Sequence, residues 1–571
     1  MHGKELLEKA GEEKRSDEFY VPVPEGYKKG KTKFIIVSGS VMSGIGKGIF
    51  ASSLAMLLKY HGLKVSPIKL DGYLNVDAGT LNPYRHGEVF VLNDGTECDM
   101  DLGSYERFLD QDLSKDNYLT AGKLFKGILE KERKGDYLGR DVQFIPHVTG
   151  EIKNFMRELA VKSNSDVVVL EIGGTVGDLE NAYVIEAIRE FIFEEGKENV
   201  CYINLVYILE PSHLGEQKSK PAQLGLNRLM SMGIQPDLVI CRSVKPIEKK
   251  IKEKISVYSN VLTKNIFGLH DRETVFQAPL HLHEEGLDKR VIEMLKLNER
   301  IGDNGFEKNI KDWQEFTEKN VHAKKKIKIA IAGKYTGLND AYASILKALE
   351  HASTHRNRKV EVKFIESTDL EEGVKPEEAL SNCDGLIIPG GFGKRGAEGK
   401  ILSAKYAREK NLPFLGICLG FQLALIEFAR NELNLKEANT TEFEPKCENP
   451  IIDFLPEQKK IEGLGGNMRL GRKEVEIKKN SLAFKLYKKE LIEERFRHRW
   501  EFNPKYLKKF EEKGIAFTGK APNYEIMQIF ELPKNDFFIG VQFHPELTSR
   551  PLNPSPLFQG LIDAAIKRKG D

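Results

Sequence analysis

Phe414-Leu415-Gly416-Ile417-Cys418-Leu419-Gly420-Phe421-Gln422 is the stretch from which the fold is read. A short apolar run leads into a cysteine with a glycine two places before it and another two places after it, and a helix-forming segment follows. The nine residues predict strand, tight turn, helix. The glycines relieve crowding at a strained turn, and the helix presents its positive end to the sulfur. Cys418 is thereby set up to attack a carbonyl as a thiolate. A structural cysteine buried between packing glycines is the other reading of this segment taken alone.

Outward from this point the same rhythm recurs. Strand signals stand at Ile327 to Ile331, Gly385 to Pro389 and Phe537 to Val541, and in the first half at Phe34 to Val37, Val65 to Ile68, Val167 to Leu170, Ile203 to Leu209 and Leu238 to Ile240. Helix-like stretches separate them, which predicts βαβ units and parallel sheets covered on both faces. With 571 residues, two or three domains are expected. Residues 1–32 are rich in Lys, Glu, Gly and Pro and read as a tail or an appended helix. A polar run at 301–326, ending in Lys324-Lys325-Lys326, reads as a linker. The expected division is therefore an extension at 1–32, one α/β domain at 33–300, and a second at 327–571.

Composition narrows little. The 87 Lys+Arg nearly balance 85 Asp+Glu, so charge points to no nucleic-acid partner. No apolar run reaches the roughly 18 to 20 residues of a membrane span, and residues 1–30 lack a signal-peptide core. These features predict a cytoplasmic protein with no membrane association. The six cysteines form no CxxC pair, so neither a disulfide framework nor a zinc knuckle is expected, and the five other than Cys418 read as buried small hydrophobes.

Near the C-terminus, Val541-Gln542-Phe543-His544-Pro545-Glu546 places an imidazole and a carboxylate two residues apart behind an apolar strand. His544 can take the thiol proton and return it to a leaving group, while Glu546 holds the tautomer and stabilises the cation. A loop is the reading of His-Pro-Glu alone. Ile387-Ile388-Pro389-Gly390-Gly391-Phe392-Gly393 runs from a strand into a glycine-rich turn whose N–H groups can stabilise an oxyanion, though Pro-Gly-Gly by itself usually only makes a turn. In this order the three elements resemble class I, triad-type glutamine amidotransferase domains, over about residues 326 to 568. That resemblance implies a triad of Cys418, His544 and Glu546, and an oxyanion hole of Gly391 with the N–H of Leu419. It also implies glutamine contacts by Gln422, Glu442 and Arg497. The segment Arg495-Phe496-Arg497-His498-Arg499 reads equally well as a solvated basic strand.

In the first half, Ser38-Gly39-Ser40-Val41-Met42-Ser43-Gly44-Ile45-Gly46-Lys47-Gly48 follows the first strand and enters a helix. A glycine-rich turn at a helix start directs N–H groups at phosphate, and Lys47 adds a charge. The loop departs from GxxxxGK[ST], because Gly48 stands where a magnesium-binding hydroxyl is expected. Two carboxylates can replace that hydroxyl: Glu171, at the carboxyl end of the strand Val167 to Leu170, and Asp101. Magnesium accepts one or two carboxylates alongside phosphate oxygens and water.

The motifs Lys69-Leu70-Asp71-Gly72-Tyr73-Leu74-Asn75-Val76-Asp77-Ala78-Gly79-Thr80, His86-Gly87-Glu88-Val89-Phe90-Val91, Glu171 to Glu180 and Lys218-Ser219-Lys220-Pro221-Ala222-Gln223 resemble the CTP synthase family, over about residues 33 to 565. The resemblance implies an α/β fold of two doubly wound domains: a P-loop-like, dethiobiotin-synthetase-like synthetase domain and a flavodoxin-like glutamine amidotransferase domain. It implies a ligase that uses ATP, Mg2+ and ammonia from L-glutamine to convert UTP to CTP. ATP would lie on Ser43, Gly44, Ile45, Gly46, Lys47, Gly48, Lys69 and Asp101, with the metal on Asp101 and Glu171. UTP or CTP would meet Ser43, Asp178, Glu180, Lys218, Lys220, Gln223 and Lys254. GTP activation, CTP feedback inhibition, an ammonia channel and homotetramers are further implications, with filament formation left open. Asn467 in the GTP-associated segment Gly465 to Gly471 and Ala222 beside Gln223 each stand where the family commonly carries Thr. Another ATP-dependent amidotransferase, acting on a carboxylate, and a nucleotide-switched assembly protein are the alternatives.

Overall fold

The computed structural model describes residues 23–137, 139–211, 215–302, 305–334, 336–454 and 468–570. The chain forms two compact units, one of Met1–Thr80 with Ser104–Thr317 and one of Leu81–Gly103 with Glu318–Asp571. The segment 81–103 therefore groups with the C-terminal unit although it precedes most of the N-terminal one.

The N-terminal unit holds a seven-stranded sheet: β1 (Lys33–Gly39), β2 (Val65–Asp71), β3 (Tyr118–Thr120), β4 (Val167–Ile172), β5 (Val200–Tyr207), β6 (Leu238–Ser243) and β7 (Ile266–His270). Their order is β3-β2-β4-β1-β5-β6-β7, and every pair is parallel. Alternate side chains leave opposite faces of a strand. Phe34, Ile36, Ile68, Leu70, Val168 and Leu170 accordingly share one core with Ile152 and Met156 of helix Thr149–Ser163 and Ile188 and Phe191 of helix Ala182–Glu195. Their neighbours Ile35, Val37, Val167 and Val169 are equally buried, so the strands are covered on both sides. Helix α1 (Lys47–Tyr60) follows β1 directly across the glycine-rich turn.

Of the N-terminal extension, residues 23–32 are described. Tyr27 donates to Glu195 Oε2 at 2.6 Å, and Thr32 donates to the Ser165 carbonyl at 2.8 Å. Within the polar stretch 301–326, Phe306–His322 is helical, and its Trp313 is buried with Met56, Phe108 and Phe276 while donating to the Phe276 carbonyl at 2.8 Å.

The C-terminal unit holds a nine-stranded sheet: β8 (Lys325–Gly333), β9 (Arg358–Glu366), β10 (Gly385–Ile388), β11 (Phe414–Ile417), β12 (Arg469–Ile477), β13 (Leu491–His498), β14 (Ala516–Lys520), β15 (Met527–Glu531) and β16 (Phe538–Val541). The order is β9-β8-β10-β11-β16-β15-β14-β12-β13. The first five strands are parallel and the last four pair antiparallel, beginning at β16. Helix α2 (Leu419–Asn431) follows β11. Phe421 and Leu425 of α2 pack with Phe414, Leu386 and Phe538 on one face, while Leu415, Ile417, Ile387 and Ile539 meet Leu557 and Leu561 of helix Pro556–Lys569 on the other.

Residues 81–103 add to this unit a hairpin, Val89–Val91 with Glu97–Asp99. Fully buried Arg495 donates to Asn93 Oδ1 at 2.6 Å and to the Val91 carbonyl at 3.1 Å. Cys98, Cys201, Cys241 and Cys383 are buried as expected, whereas Cys447 is only half-buried.

Candidate active site

Cys418 lies between β11 and α2 at φ 51°, ψ −102°, in the region that L-residues rarely occupy. Its N–H donates to the Val541 carbonyl at 2.8 Å, which ties the turn to β16. The flanking glycines have a specific steric cause. A Cβ on Gly420 would lie 2.0 Å from the Ile388 carbonyl oxygen, and one on Gly416 would lie 2.9 Å from the Gly420 backbone. The elbow closes only without those carbons.

Beneath it, His544 Nδ1 bonds Glu546 Oε1 at 2.7 Å. Gly390 lets the imidazole and the thiol approach, since a Cβ there would stand 2.8 Å from His544 Cε1 and 3.5 Å from Cys418 Cβ. Burial opposes protonation of His544, but the Glu546 carboxylate and the Cys418 sulfur outweigh it and raise the imidazole to about 10. His544 Nε2 is buried, and the Cys418 sulfur acts on the imidazole both by charge and as a hydrogen-bond partner. The structure thus gathers Cys418, His544 and Glu546 into one chain of proton-handling groups.

Gly391 and Leu419 adjoin each other, a Cβ on Gly391 falling 3.7 Å from Leu419 Cδ2. The same point is 3.8 Å from Nζ of Lys400, a fully buried lysine that sequence patterning did not single out. Burial, with nearby Lys334, lowers its ammonium to about 7, partly offset by Cys418 and Glu366. Only burial marks this residue, and burial of one lysine in helix Ala397–Glu409 leaves no local signature.

Of the residues expected at glutamine, Gln422 is buried and donates to the Trp500 carbonyl at 2.7 Å and to Gln542 Oε1 at 3.1 Å. Glu442 accepts the Gly393 N–H at 2.7 Å. Burial raises its carboxyl, while that N–H, Lys334 and Arg499 pull it down. Arg497 points its Nε to Glu97 of the hairpin at 2.6 Å and lies 5.2 Å from the Phe392 ring. Arg499, two residues on, was not singled out, yet it faces Glu442 and its buried Nε has no hydrogen-bond partner. The stretch 495–499 is not a solvated strand, because Arg495, Phe496 and His498 are all buried.

In the N-terminal unit the turn after β1 carries positive φ at Val41, Gly44 and Gly46, the last being the N-cap of α1. Ser43 and Gly44 are exposed, while Ile45, Lys47 and Gly48 are buried. Lys47 Nζ donates to the Gly174 carbonyl at 2.6 Å. Lys69 and Glu171 are register neighbours on β2 and β4, and Lys69 Nζ reaches Glu171 Oε1 at 3.0 Å and Asp71 Oδ1 at 3.9 Å. Tyr105 holds the other Glu171 oxygen at 3.0 Å. These groups collect at the carboxyl ends of the strands, where open α/β sheets bind ligands. Asp101, in the first turn of helix Met100–Leu109, falls in the segment grouped with the C-terminal unit.

Asp178 is occupied in its own turn, accepting the Thr175 N–H and hydroxyl at 2.7 Å each, and Glu180 is exposed. Lys218 pairs with Glu216, a carboxylate also held low by Lys250 and Lys254. Lys220 opens helix Lys220–Ser231, and buried Gln223 donates to Ser219 Oγ at 3.0 Å. Ala222 is buried in the cluster with Leu226 and Val239, so its departure from Thr is a core feature. Asn467 lies outside the described residues.

A cysteine elbow with a His–Glu pair on a doubly wound sheet, in a chain whose other unit presents a phosphate loop and charged strand ends, defines a glutamine amidotransferase joined to a nucleotide-dependent synthetase. Residues 33–297 match the model of the CTP synthase N-terminus, and 338–564 match that of glutamine amidotransferase class-I. The chain is 50% identical over 540 residues to the CTP synthase of Thermococcus gammatolerans, covering 94% of this chain and 99% of that protein. It is 48% identical over 535 residues to that of Methanosarcina acetivorans, covering 94% and 98%. Among solved structures, the Trypanosoma brucei CTPS glutaminase domain with bound acivicin is 33% identical, with a TM-score of 0.40, covering 42% of this chain and 94% of that one. The chain belongs to the CTP synthase family.

Proposed function

We propose that this chain aminates UTP to CTP at the expense of ATP, with ammonia released from L-glutamine. The observation that carries the glutaminase step is His544 set between Glu546 and the Cys418 sulfur. His544 takes the thiol proton through Nε2, and the sulfur attacks the side-chain amide carbon of glutamine. The oxyanion that forms is met by the N–H groups of Gly391 and Leu419. His544 returns the proton to the departing nitrogen, ammonia leaves, and water cleaves the thioester to glutamate. Glu546 fixes the tautomer and stabilises the imidazolium throughout. Glu442 and Arg499 suit the amino and carboxylate groups of the substrate. Arg499 fits the carboxylate better than Arg497, whose Nε is held by Glu97.

In the N-terminal unit, ATP phosphorylates O4 of UTP and ammonia displaces that phosphate, giving CTP, ADP and phosphate. Lys47 and Lys69 neutralise the transferring phosphoryl group. Glu171 and Asp71 offer oxygen donors only, organised by Lys69 and Tyr105, and they suit a hard cation such as Mg2+. When bound, Mg2+ supplies charge neutralisation at the phosphates. Lys218 and Lys254, both near Glu216, and exposed Lys220 are the basic residues suited to the UTP or CTP triphosphate, with Gln223 on the helix that Lys220 opens. GTP activation and a tetrameric assembly belong to the same reading.

Incubating the purified chain with UTP, ATP, Mg2+ and either ammonium or glutamine, and following CTP by absorbance, tests the proposal. CTP is expected from both nitrogen sources. None from either at saturating substrate would sink the assignment and favour amidation of a carboxylate.

A further inference from the structure

In the N-terminal unit, away from every residue assigned a role above, two imidazoles and one carboxylate converge. His61 Nε2 lies 2.7 Å, and His283 Nδ1 2.8 Å, from the same oxygen of Asp288, and the three ligand atoms fall within 4.8 Å of one another. His61 caps the C-terminal end of α1, His283 lies in helix Gln277–Glu284, and Asp288 opens the next helix, Leu287–Met294. The cluster thus joins segments more than two hundred positions apart, with |i−j| = 227 between His61 and Asp288.

We propose that His61, His283 and Asp288 form a binding site for one Zn2+ ion. Two nitrogens and one carboxylate oxygen match the donor set of three-ligand zinc centres, whose fourth position is taken by water. Mg2+ and Ca2+ prefer all-oxygen surroundings, which this cluster does not offer. Several observations beyond donor type point the same way. The Asp288 side chain is wholly buried, and its second oxygen, Oδ1, has no hydrogen-bond partner. An unsatisfied buried carboxylate oxygen is costly and calls for a positive partner. The two histidine side chains are 14% and 24% exposed, which leaves solvent an approach to the nitrogens while the carboxylate stays fixed. Phe306 holds the rings in place, stacked on His61 at 4.1 Å between centroids and tilted over His283 at 5.0 Å.

The geometry is within reach of coordination. Ligands of a tetrahedral zinc at about 2.0 to 2.1 Å stand roughly 3.3 Å apart, so insertion needs the atoms to part by about half an ångström. A rotation of the Asp288 carboxyl toward Oδ1 supplies that movement. Each imidazole must present a lone pair where it now bonds the carboxylate, so a neutral ring shifts its proton to the other ring nitrogen, and only a ring bound as an imidazolium releases a proton when zinc enters.

The test uses the full chain, stripped with a chelator and titrated with zinc sulfate in competition with a chromogenic chelator. Thermal unfolding is recorded with and without metal. Zinc also binds thiol–imidazole pairs such as Cys418 with His544, so the comparison is with His61→Gln and His283→Gln, whose folding is checked by circular dichroism. The native chain should take up one ion at this site and unfold at a higher temperature with zinc. Both variants should bind at this site roughly tenfold more weakly or worse and show no such rise. Cobalt substitution gives a readout independent of the variants: the native chain should acquire the visible absorption of a low-coordinate Co2+ bound by nitrogen and oxygen, retained in Cys418→Ser. Equal zinc uptake by native and variant chains would overturn the proposal. So would an unfolding temperature indifferent to zinc, or a cobalt signal lost with Cys418→Ser. The trio would then be a hydrogen-bonded brace only.

Discussion

Lys400 places an ammonium, fully buried and lowered to about 7, behind the Gly390–Gly391 turn that faces Cys418. Below pH 7 the group is charged and favours negative charge on the sulfur and on the oxyanion; above it the group is neutral and contributes little. The expected outcome is that native kcat/KM for glutamine hydrolysis exceeds that of Lys400→Met by about tenfold at low pH, the effect of about 1.4 kcal/mol. The ratio should fall toward unity as pH rises through about 7, and a flat ratio across a pH–rate series would remove Lys400 from the reaction. His544 gives a second pH dependence with a defined sign. Its folded value, about 10, lies above the ordinary imidazole value, so its contribution to stability is complete below about 6.5. That contribution is lost as pH rises through about 10. The gap in unfolding temperature between the native chain and His544→Gln should therefore be widest in mild acid and narrow steadily toward pH 10. Cys418, His544 and Glu546 were legible because each sits in a short motif whose spacing carries the chemistry. Lys400 and Arg499 were not, because what distinguishes them is the company they keep after folding.

At the scale of elements, the strand–elbow–helix unit of β11 and α2 was readable from nine residues, since an apolar run, a cysteine flanked by glycines at two-residue spacing and a helix-forming segment follow one another directly. The steric reason appears only in three dimensions, where Ile388 of the neighbouring strand closes on Gly420. This makes Gly420→Ala informative. Helix propensity alone favours alanine by about 1 kcal/mol in α2. A new carbon 2.0 Å from the Ile388 carbonyl reverses that sign, because backbone on both sides must move. A loss of about 3 kcal/mol or more is expected, read as a fall in the urea midpoint, with glutamine hydrolysis lost as well. An unchanged midpoint would mean that the elbow can open. The parallel strands were likewise legible, as continuous apolar runs buried on two faces. The antiparallel strands β12 to β15 were not. Segments such as Arg472-Lys473-Glu474 of β12 are charged, and their place in the sheet depends on partners distant in sequence. The hairpin Val89–Asp99 was hidden for a similar reason: its partners, Arg495 and Arg497, lie four hundred residues away, with |i−j| = 402 between Asn93 and Arg495 and 400 between Glu97 and Arg497.

For the whole molecule, the decisive feature is that two chemistries occupy two compact units, each with its own sheet and core. Lys47, Lys69 and Glu171 belong to one, and Cys418, His544 and Glu546 to the other, so substitutions in the two groups should separate cleanly. Cys418→Ala removes the only sulfur in the glutaminase constellation. Glutamine-dependent CTP formation should fall roughly a thousandfold, the scale seen when a covalent nucleophile is lost. Ammonium-dependent formation should stay within about twofold of native, as for sites that act independently. Lys47→Ala acts on the other chemistry. Without the charge proposed to meet the transferring phosphoryl group, CTP formation should drop roughly a hundredfold or more from either nitrogen source. Glutamine hydrolysis measured as glutamate release should persist in Lys47→Ala. The pair of variants is read together, with CTP and glutamate followed in the same reaction mixtures. If Cys418→Ala kept its glutamine-dependent rate, another nucleophile would have to be sought. If Lys47→Ala lost only the glutamine-dependent reaction, the phosphate loop would not serve the phosphoryl transfer, and the division of labour between the two units would have to be redrawn.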